Sequence, residues 1–173
     1  MERIGVFGGT FNPVHIGHIQ AAKQALTALH LDRVLLIPDH IAPHKELPTG
    51  SPTPQQRLDM LRIAVQDCPG LEISDIELRR EGVSYTYLTI QELKRMYPHD
   101  QLVLLMGTDM FTSFDSWRNP EEILKNASLG VFCRGDKKEK QAIAAQKERM
   151  EAMGAQVELA HNDVIAISST QMR

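Results

Sequence analysis

Short apolar runs alternate with longer stretches of helical period along the whole chain. Arg3 to Phe7 (RIGVF), Arg33 to Ile37 (RVLLI), Gln101 to Met106 (QLVLLM) and Leu129 to Cys133 (LGVFC) are brief, mostly β-branched or leucine-rich, and uninterrupted by charge. Such runs are expected of strands buried on both faces. Leu71 to Ile76, Gln156 to Leu159 and Val164 to Ile167 are shorter strand candidates. Between them lie helical patterns. Ile16 to His30 places Ile19, Ala22, Ala25, Leu26 and Leu29 on one face. Pro54 to Cys68 follows a Thr53 suited to the N-cap, with Pro54 in the first turn. Tyr85 to Tyr97 carries Leu88, Ile90, Leu93 and Met96. Asn119-Pro-Glu-Glu opens a short helix to about Lys125, with acid in its first turn. Lys138 to Met153 is so charged that it is expected to be a solvated helix.

Strand–helix alternation predicts an α/β fold with a mainly parallel sheet and helices on both faces. Right-handed crossovers then gather the loops after the strands on one edge, where such sheets bind ligands. Those loops read GGTFNPVHIGH, PDHIAPHK, GTDMFTSFDSW, CRGDKK and ISSTQMR. Each is rich in Gly, Ser/Thr, His or charge. The connection from Pro38 to Thr53 is long and poor in secondary structure, which marks it as functional or mobile.

Length and composition narrow the class. At 173 residues the chain is expected to be one domain, residues 1–173, large enough for a core without staples. Apolar residues make up 42% and charged residues 24%, which argues against disorder and low-complexity architectures. Nineteen basic against 22 acidic side chains leave a net charge of −3, the wrong balance for a nucleic-acid-binding face. Two distant cysteines, Cys68 and Cys133, form neither a disulfide framework nor a CxxC site and are expected to pack as small hydrophobes in a reducing compartment. No run approaches the ~20 apolar residues of a membrane span, and the apolar start is too short for a signal peptide. The expectation is a cytoplasmic protein without membrane or nucleic-acid partners.

Two constellations carry chemistry. Gly8-Gly9-Thr10-Phe11-Asn12-Pro13-Val14-His15-Ile16-Gly17-His18 leaves the first strand and enters the first helix. Paired glycines permit close backbone approach to a phosphate, and the helix start supplies free N–H groups. It is neither a Walker loop nor GxGxxG. His15 and His18, three apart, share one helix face if the helix begins near His15. They could instead be half of a zinc site completed by His40 or His44, but those partners lie in the Pro-rich loop. Ile167-Ser168-Ser169-Thr170-Gln171-Met172-Arg173 follows the last strand candidate, a second hydroxyl-rich cradle with an arginine one turn on. By itself it would be an ordinary helix cap.

Together, GGTFNPVHIGH and ISSTQMR resemble the HxGH/ISSTxxR nucleotidyltransferase superfamily, with its Rossmann-like fold. Within it the chain is similar to the bacterial nicotinate-nucleotide adenylyltransferases along essentially its whole length. Ala42-Pro43-His44-Lys45, Ser84-Tyr85-Thr86, Gly107-Thr108-Asp109 and Phe114-Asp115-Ser116-Trp117 narrow it to that branch. The resemblance implies AMP transfer from ATP to nicotinate mononucleotide, with pyrophosphate released and no covalent enzyme intermediate. It implies that His15 and His18 are catalytic, stabilising charge at the ATP phosphates. ATP would be bound by Gly8, Gly9, Thr10, Phe11, Gly107, Asp109, Arg134, Ser169, Thr170 and Arg173. Nicotinate mononucleotide would be bound by Lys45 at its phosphate, Tyr85 and Thr86 at its carboxylate, and Trp117 on its ring. Trp117 also reads as a core or lid aromatic. Mg2+ would ride on the ATP phosphates, with no protein metal ligand assigned. Two departures stand out: Leu88 occupies a position usually acidic in the family, and the family continues with a further helix where this chain stops at Arg173.

Other acceptors, nicotinamide mononucleotide or phosphopantetheine, would use the same transfer chemistry. A catalytically silent nucleotide sensor is disfavoured because both histidines are present. A nicotinamide-cofactor dehydrogenase is disfavoured by the glycine spacing.

Overall fold

The computed structural model describes residues 2–9, 16–38, 54–77, 85–133 and 137–161. Six parallel strands form one sheet: β1 (Arg3–Gly9), β2 (Arg33–Pro38), β3 (Leu71–Ile73), β4 (Gln101–Gly107), β5 (Ala127–Cys133) and β6 (Val157–His161). Their order is β3-β2-β1-β4-β5-β6. This is the doubly wound order, in which the chain starts at the centre, winds outward through β2 and β3, then returns to pair β4 against β1. Arg3 to Val6 lie opposite Gln101 to Leu104 in that central pair. The expected parallel α/β sheet is therefore present. The Val164 to Ile167 strand candidate lies outside the described residues.

Side-chain alternation along the strands builds two cores. Val34, Leu36, Val103 and Leu105 point to the face covered by α1 (Ile16–Ala28) and α2 (Pro54–Val65), packing on Ile19, Ala22, Ala25 and Leu61. Ile4, Val6, Leu35, Ile37, Leu102, Leu104, Leu129 and Val131 point to the other face. It is covered by α3 (Thr86–Met96), α4 (Thr108–Thr112), a 3-10 turn over Phe114–Ser116, α5 (Pro120–Asn126) and α6 (Lys137–Ala152). Strands with both faces covered explain why their sequences show no polar positions in alternation.

Several element ends differ from expectation for identifiable reasons. The first helix ends at Ala28, short of His30, in a Schellman closure: His30 takes φ 54°, His30 N–H donates to Thr27 O and Leu31 N–H to Leu26 O. α6 ends the same way around Gly154 (φ 94°), with Ala155 N–H donating to Met150 O. α2 stops at Val65 rather than Cys68, and the following residues turn by short i→i−3 bonds ahead of Pro69. β3 covers only Leu71–Ile73, because the Ser74 hydroxyl then accepts from Ile76 N–H and turns the chain off the sheet. Conversely, β1 and β4 run on to Gly9 and Gly107, so their terminal glycines are the strand ends themselves.

The largest correction concerns α6. Its composition predicts a solvated helix, yet Glu139, Ile143, Gln146 and Met150 are buried. Their spacing of four, three and four residues is one helix stripe. A helix linking β5 to β6 must lie on the sheet, so it needs such a stripe whatever its remaining charge. The segment between Gly107 and Asn119 is also more ordered than the loop read from sequence, containing α4 and the 3-10 turn.

Candidate active site

In a parallel sheet every strand ends on the same edge. β1 and β4 are neighbours whose following chains run to opposite faces, since α1 covers one and α4 the other. Their carboxyl ends therefore bound a crevice at the point where the strand order reverses. Gly8 and Gly9 close one side and Gly107 the other.

Protein packing does not require a glycine at Gly8 or Gly107. A Cβ added at Gly8 would meet only Ile37 O at 3.8 Å, and one at Gly107 would meet nothing within 4 Å. Elsewhere in the same sheet the opposite holds: a Cβ at Gly130 would lie 2.8 Å from Leu105 Cδ2 and 2.9 Å from Leu29 Cδ1. Space is thus left open at the carboxyl edge and filled in the middle.

The remaining described candidates reach that edge by topology. α1 begins at Ile16, so His18 lies in its first turn, at the edge where β1 ends. α4 begins directly after β4, placing Asp109 as its second residue, with Thr108 Oγ1 donating to Phe132 O at 3.2 Å to hold the turn. For His18 and Asp109 only the backbone is described. α3 feeds the start of β4, so its own start, Tyr85 and Thr86, lies back at the carboxyl edge. Tyr85 is the N-cap (φ −110°, ψ 133°), with no side-chain cap and no acidic residue in the first turn. A carboxylate from outside the helix does lie beside that turn: the buried Glu77 accepts from Thr89 Oγ1 at 2.8 Å. Leu88, half-buried in that turn, donates its N–H to Tyr85 O at 3.2 Å.

Trp117 is half-buried and packs on the core through Phe114, ring centroids 5.0 Å apart and tilted by 48°. The segment carrying it is tied down from α6. The buried Gln146 amide donates to Phe111 O at 3.0 Å and to Asp115 Oδ1 at 3.2 Å, and Arg149 donates to Asp115 Oδ2 at 2.6 Å. The Gln146 amide, the backbone amide of Asp115 itself and Arg149 hold the Asp115 carboxyl below the usual carboxylate range.

Arg118, which sequence reading passes over, joins two of the candidate segments. Its guanidinium lies 4.8 Å from the centroid of the Tyr85 ring, bringing the residue after Trp117 onto the start of α3. A cation directly following the chain's one tryptophan was the available signal. Gln146 was also missed, and its place in the α6 stripe was the signal there.

Thr10, Phe11, His15, Lys45, Arg134, Ser169, Thr170 and Arg173 lie outside the described residues, as do His40 and His44. Among the described residues no three His, Cys, Asp or Glu side chains cluster as a metal site. Among them, too, no helix is long and apolar enough to cross a membrane. Cys68 is half-buried and donates its thiol to Ala64 O at 3.8 Å. A cavity of about 460 Å3 lined by Lys94, His99, Lys125 and Ser128 lies at the other edge of the sheet, where β4 and β5 begin.

The cytidylyltransferase-like family matches residues 6–173. A protein from Shewanella sp. strain ANA-3 named "Probable nicotinate-nucleotide adenylyltransferase" is 36% identical over 185 aligned residues, covering 99% of this chain and 86% of that one. One of the same name from Carboxydothermus hydrogenoformans is 36% identical over 171 residues, covering 99% and 84%. In fold, the chain superposes on the Plasmodium falciparum nicotinic acid mononucleotide adenylyltransferase complexed with NaAD with a TM-score of 0.75, over 99% of this chain and 82% of that one, at 16% identity. A parallel sheet with an open crevice at its reversal point, and relatives alike over nearly the full length of both chains, agree: the chain belongs to the cytidylyltransferase-like family and, within it, to the nicotinate-nucleotide adenylyltransferases.

Proposed function

We propose that the chain, acting as one nucleotidyltransferase domain over residues 1–173, transfers the adenylyl group of ATP to nicotinate mononucleotide. The products are nicotinate adenine dinucleotide and pyrophosphate, a step of NAD biosynthesis. The observation that carries this reading is the likeness to nicotinate-nucleotide adenylyltransferases across almost the entire chain. The open glycine edge between β1 and β4 supports it physically.

The acceptor's phosphate oxygen attacks the α-phosphorus in line, and the bond to pyrophosphate breaks. Such a transfer asks the protein for position and charge stabilisation rather than a nucleophile. Gly8, Gly9, Thr10 and Phe11 would let the triphosphate pass close to the backbone, with Gly107, Asp109 and Arg134 around the adenosine. His15 and His18 would donate to phosphate oxygens as charge builds on the leaving pyrophosphate. Ser169, Thr170 and Arg173 would complete that cradle. Lys45 would neutralise the acceptor phosphate, Tyr85 and Thr86 would meet its carboxylate, and Trp117 its ring. Mg2+, held by ATP oxygens and water, would neutralise phosphate charge there. A cytoplasmic location, with ATP and nicotinate mononucleotide as partners, completes the proposal.

Pyrophosphate release with ATP and Mg2+ tests it, comparing nicotinate mononucleotide, nicotinamide mononucleotide and phosphopantetheine. The expected result is a strong preference for the nicotinate form. Preference for either other acceptor, or no turnover, overturns the reading. For the histidine role, His18→Ala should lower kcat by about 100- to 1,000-fold, as loss of one transition-state donor does elsewhere. A loss confined to KM would refute that role.

A further inference from the structure

We propose that Arg118 reads the acceptor's carboxylate and is the residue that sets preference for nicotinate over nicotinamide. This rests on the reading above, which assigns the acceptor's pyridine end to the start of α3 and to Trp117.

The argument starts from what holds Arg118. Its backbone follows the 3-10 turn that ends at Trp117 and precedes Asn119, whose left-handed conformation (φ 50°, ψ 55°) turns the chain into α5. From there the guanidinium reaches across to α3 and lies over the Tyr85 ring, 4.8 Å from its centroid, inside cation–π range. The Tyr85 ring takes up one side of the cation, and the five N–H donors of a guanidinium form a planar fork suited to a carboxylate. Arg3, Arg33 and Arg149 each close on a carboxylate, at 2.7, 3.1 and 2.6 Å. Among the described residues no carboxylate pairs with Arg118, and its side chain is exposed. A planar cation with no anion among the described residues therefore stands over the residue that caps α3.

The chemistry then discriminates. A carboxylate accepts two parallel bonds from a guanidinium, charge against charge. A carboxamide offers one acceptor oxygen and turns an NH2 group against the second donor. The first turn of α3 already has the buried Glu77 carboxylate beside it at Thr89, so the positive charge that favours an anion here is that of Arg118. A lysine would keep the charge and lose the two-point fit.

The experiment measures kcat and KM for nicotinate and nicotinamide mononucleotides with the whole chain, wild type, Arg118→Gln and Arg118→Lys. Arg118→Gln is expected to cut the nicotinate-to-nicotinamide ratio of kcat/KM by about tenfold or more, mainly through the KM for nicotinate. The KM for ATP should hold, and Arg118→Lys should retain part of the preference. An unchanged ratio overturns the proposal. So does an equal loss with both mononucleotides, which would mean that Arg118 only props Tyr85. A wild type without preference for nicotinate would overturn the acceptor assignment as well. A wild-type preference that survives Arg118→Gln overturns the role of Arg118 alone.

Discussion

Glycine stands in this sheet for two different reasons. Gly130 is buried, and any side chain there must displace Leu105, Leu29 and Val103, whose atoms would lie 2.8, 2.9 and 3.0 Å from its Cβ. Gly107 faces open space at the end of β4. The two should therefore separate stability from binding. Gly130→Val is expected to destabilise the fold by about 1–3 kcal/mol through overpacking, with KM for ATP unchanged in the folded fraction. Gly107→Val is expected to leave the unfolding temperature nearly unchanged and to raise KM for ATP. Thermal unfolding and initial rates on the same preparations check both, and the reverse pattern would remove Gly107 from the nucleotide site. In the sequence both are simply glycines in or after a strand. Which one packs and which one yields space depends on Leu29 and Leu105, brought from elsewhere in the chain.

At the level of elements, α6 acts as the strap for the segment that carries Trp117. Gln146 is 3% exposed, and its amide satisfies the Phe111 carbonyl and the Asp115 carboxylate together. Gln146→Leu should cost about 1–3 kcal/mol by leaving a buried carbonyl unpaired. Because Trp117 is the only tryptophan, its emission reports directly on the strap and is expected to shift to the red. Emission and unfolding both unchanged would count against it. The Asp115 carboxyl adds a pH dependence of known sign. The fold holds its pKa down, first through Gln146. Its contribution is therefore full above the ordinary carboxylate pKa of about 4 and is lost as pH falls through the lowered native value. The stability gap between wild type and Asp115→Asn should shrink on acidification through that range, while a gap constant with pH would contradict it. Strand positions were legible because doubly covered strands must be apolar throughout. The stripe in α6 was obscured by the charge on its other faces, and the ends of α1 and β3 were obscured because His30 and Ser74 act through backbone geometry and a hydroxyl rather than through pattern.

Across the whole molecule, the two edges of the sheet have different tasks. The amino edge is tied by long-range polar contacts. Arg3 donates to Gln101 at 2.8 Å, to Leu29 O at 2.9 Å and to Glu158 at 2.7 Å, joining β1, β4, β6 and the end of α1. Arg33 lies over the Tyr97 ring and pairs with Glu2 and Glu72. The carboxyl edge instead leaves space at Gly8 and Gly107. Arg3→Met should thus cost about 1–2 kcal/mol, discounted for partial exposure, while both substrate KM values stay at wild type. A changed KM would show that the edges are coupled.

The sequence alone determined the alternation of strands and helices and the parallel sheet, and it singled out the paired glycines that end β1 as a candidate phosphate site. Apolar period and glycine–histidine spacing are local properties, and buried strands and helix starts express them wherever they sit. Only the tertiary structure decided which strands are neighbours, and so that Gly8 and Gly107 face one crevice. It also decided that Gln146 holds the Trp117 segment and that Arg118 lies over Tyr85. These pairs are 99, 29 and 33 positions apart in the chain (107 − 8, 146 − 117 and 118 − 85). No local pattern encodes them, because they are brought near one another only by the crossover of one element over the sheet face built by the others.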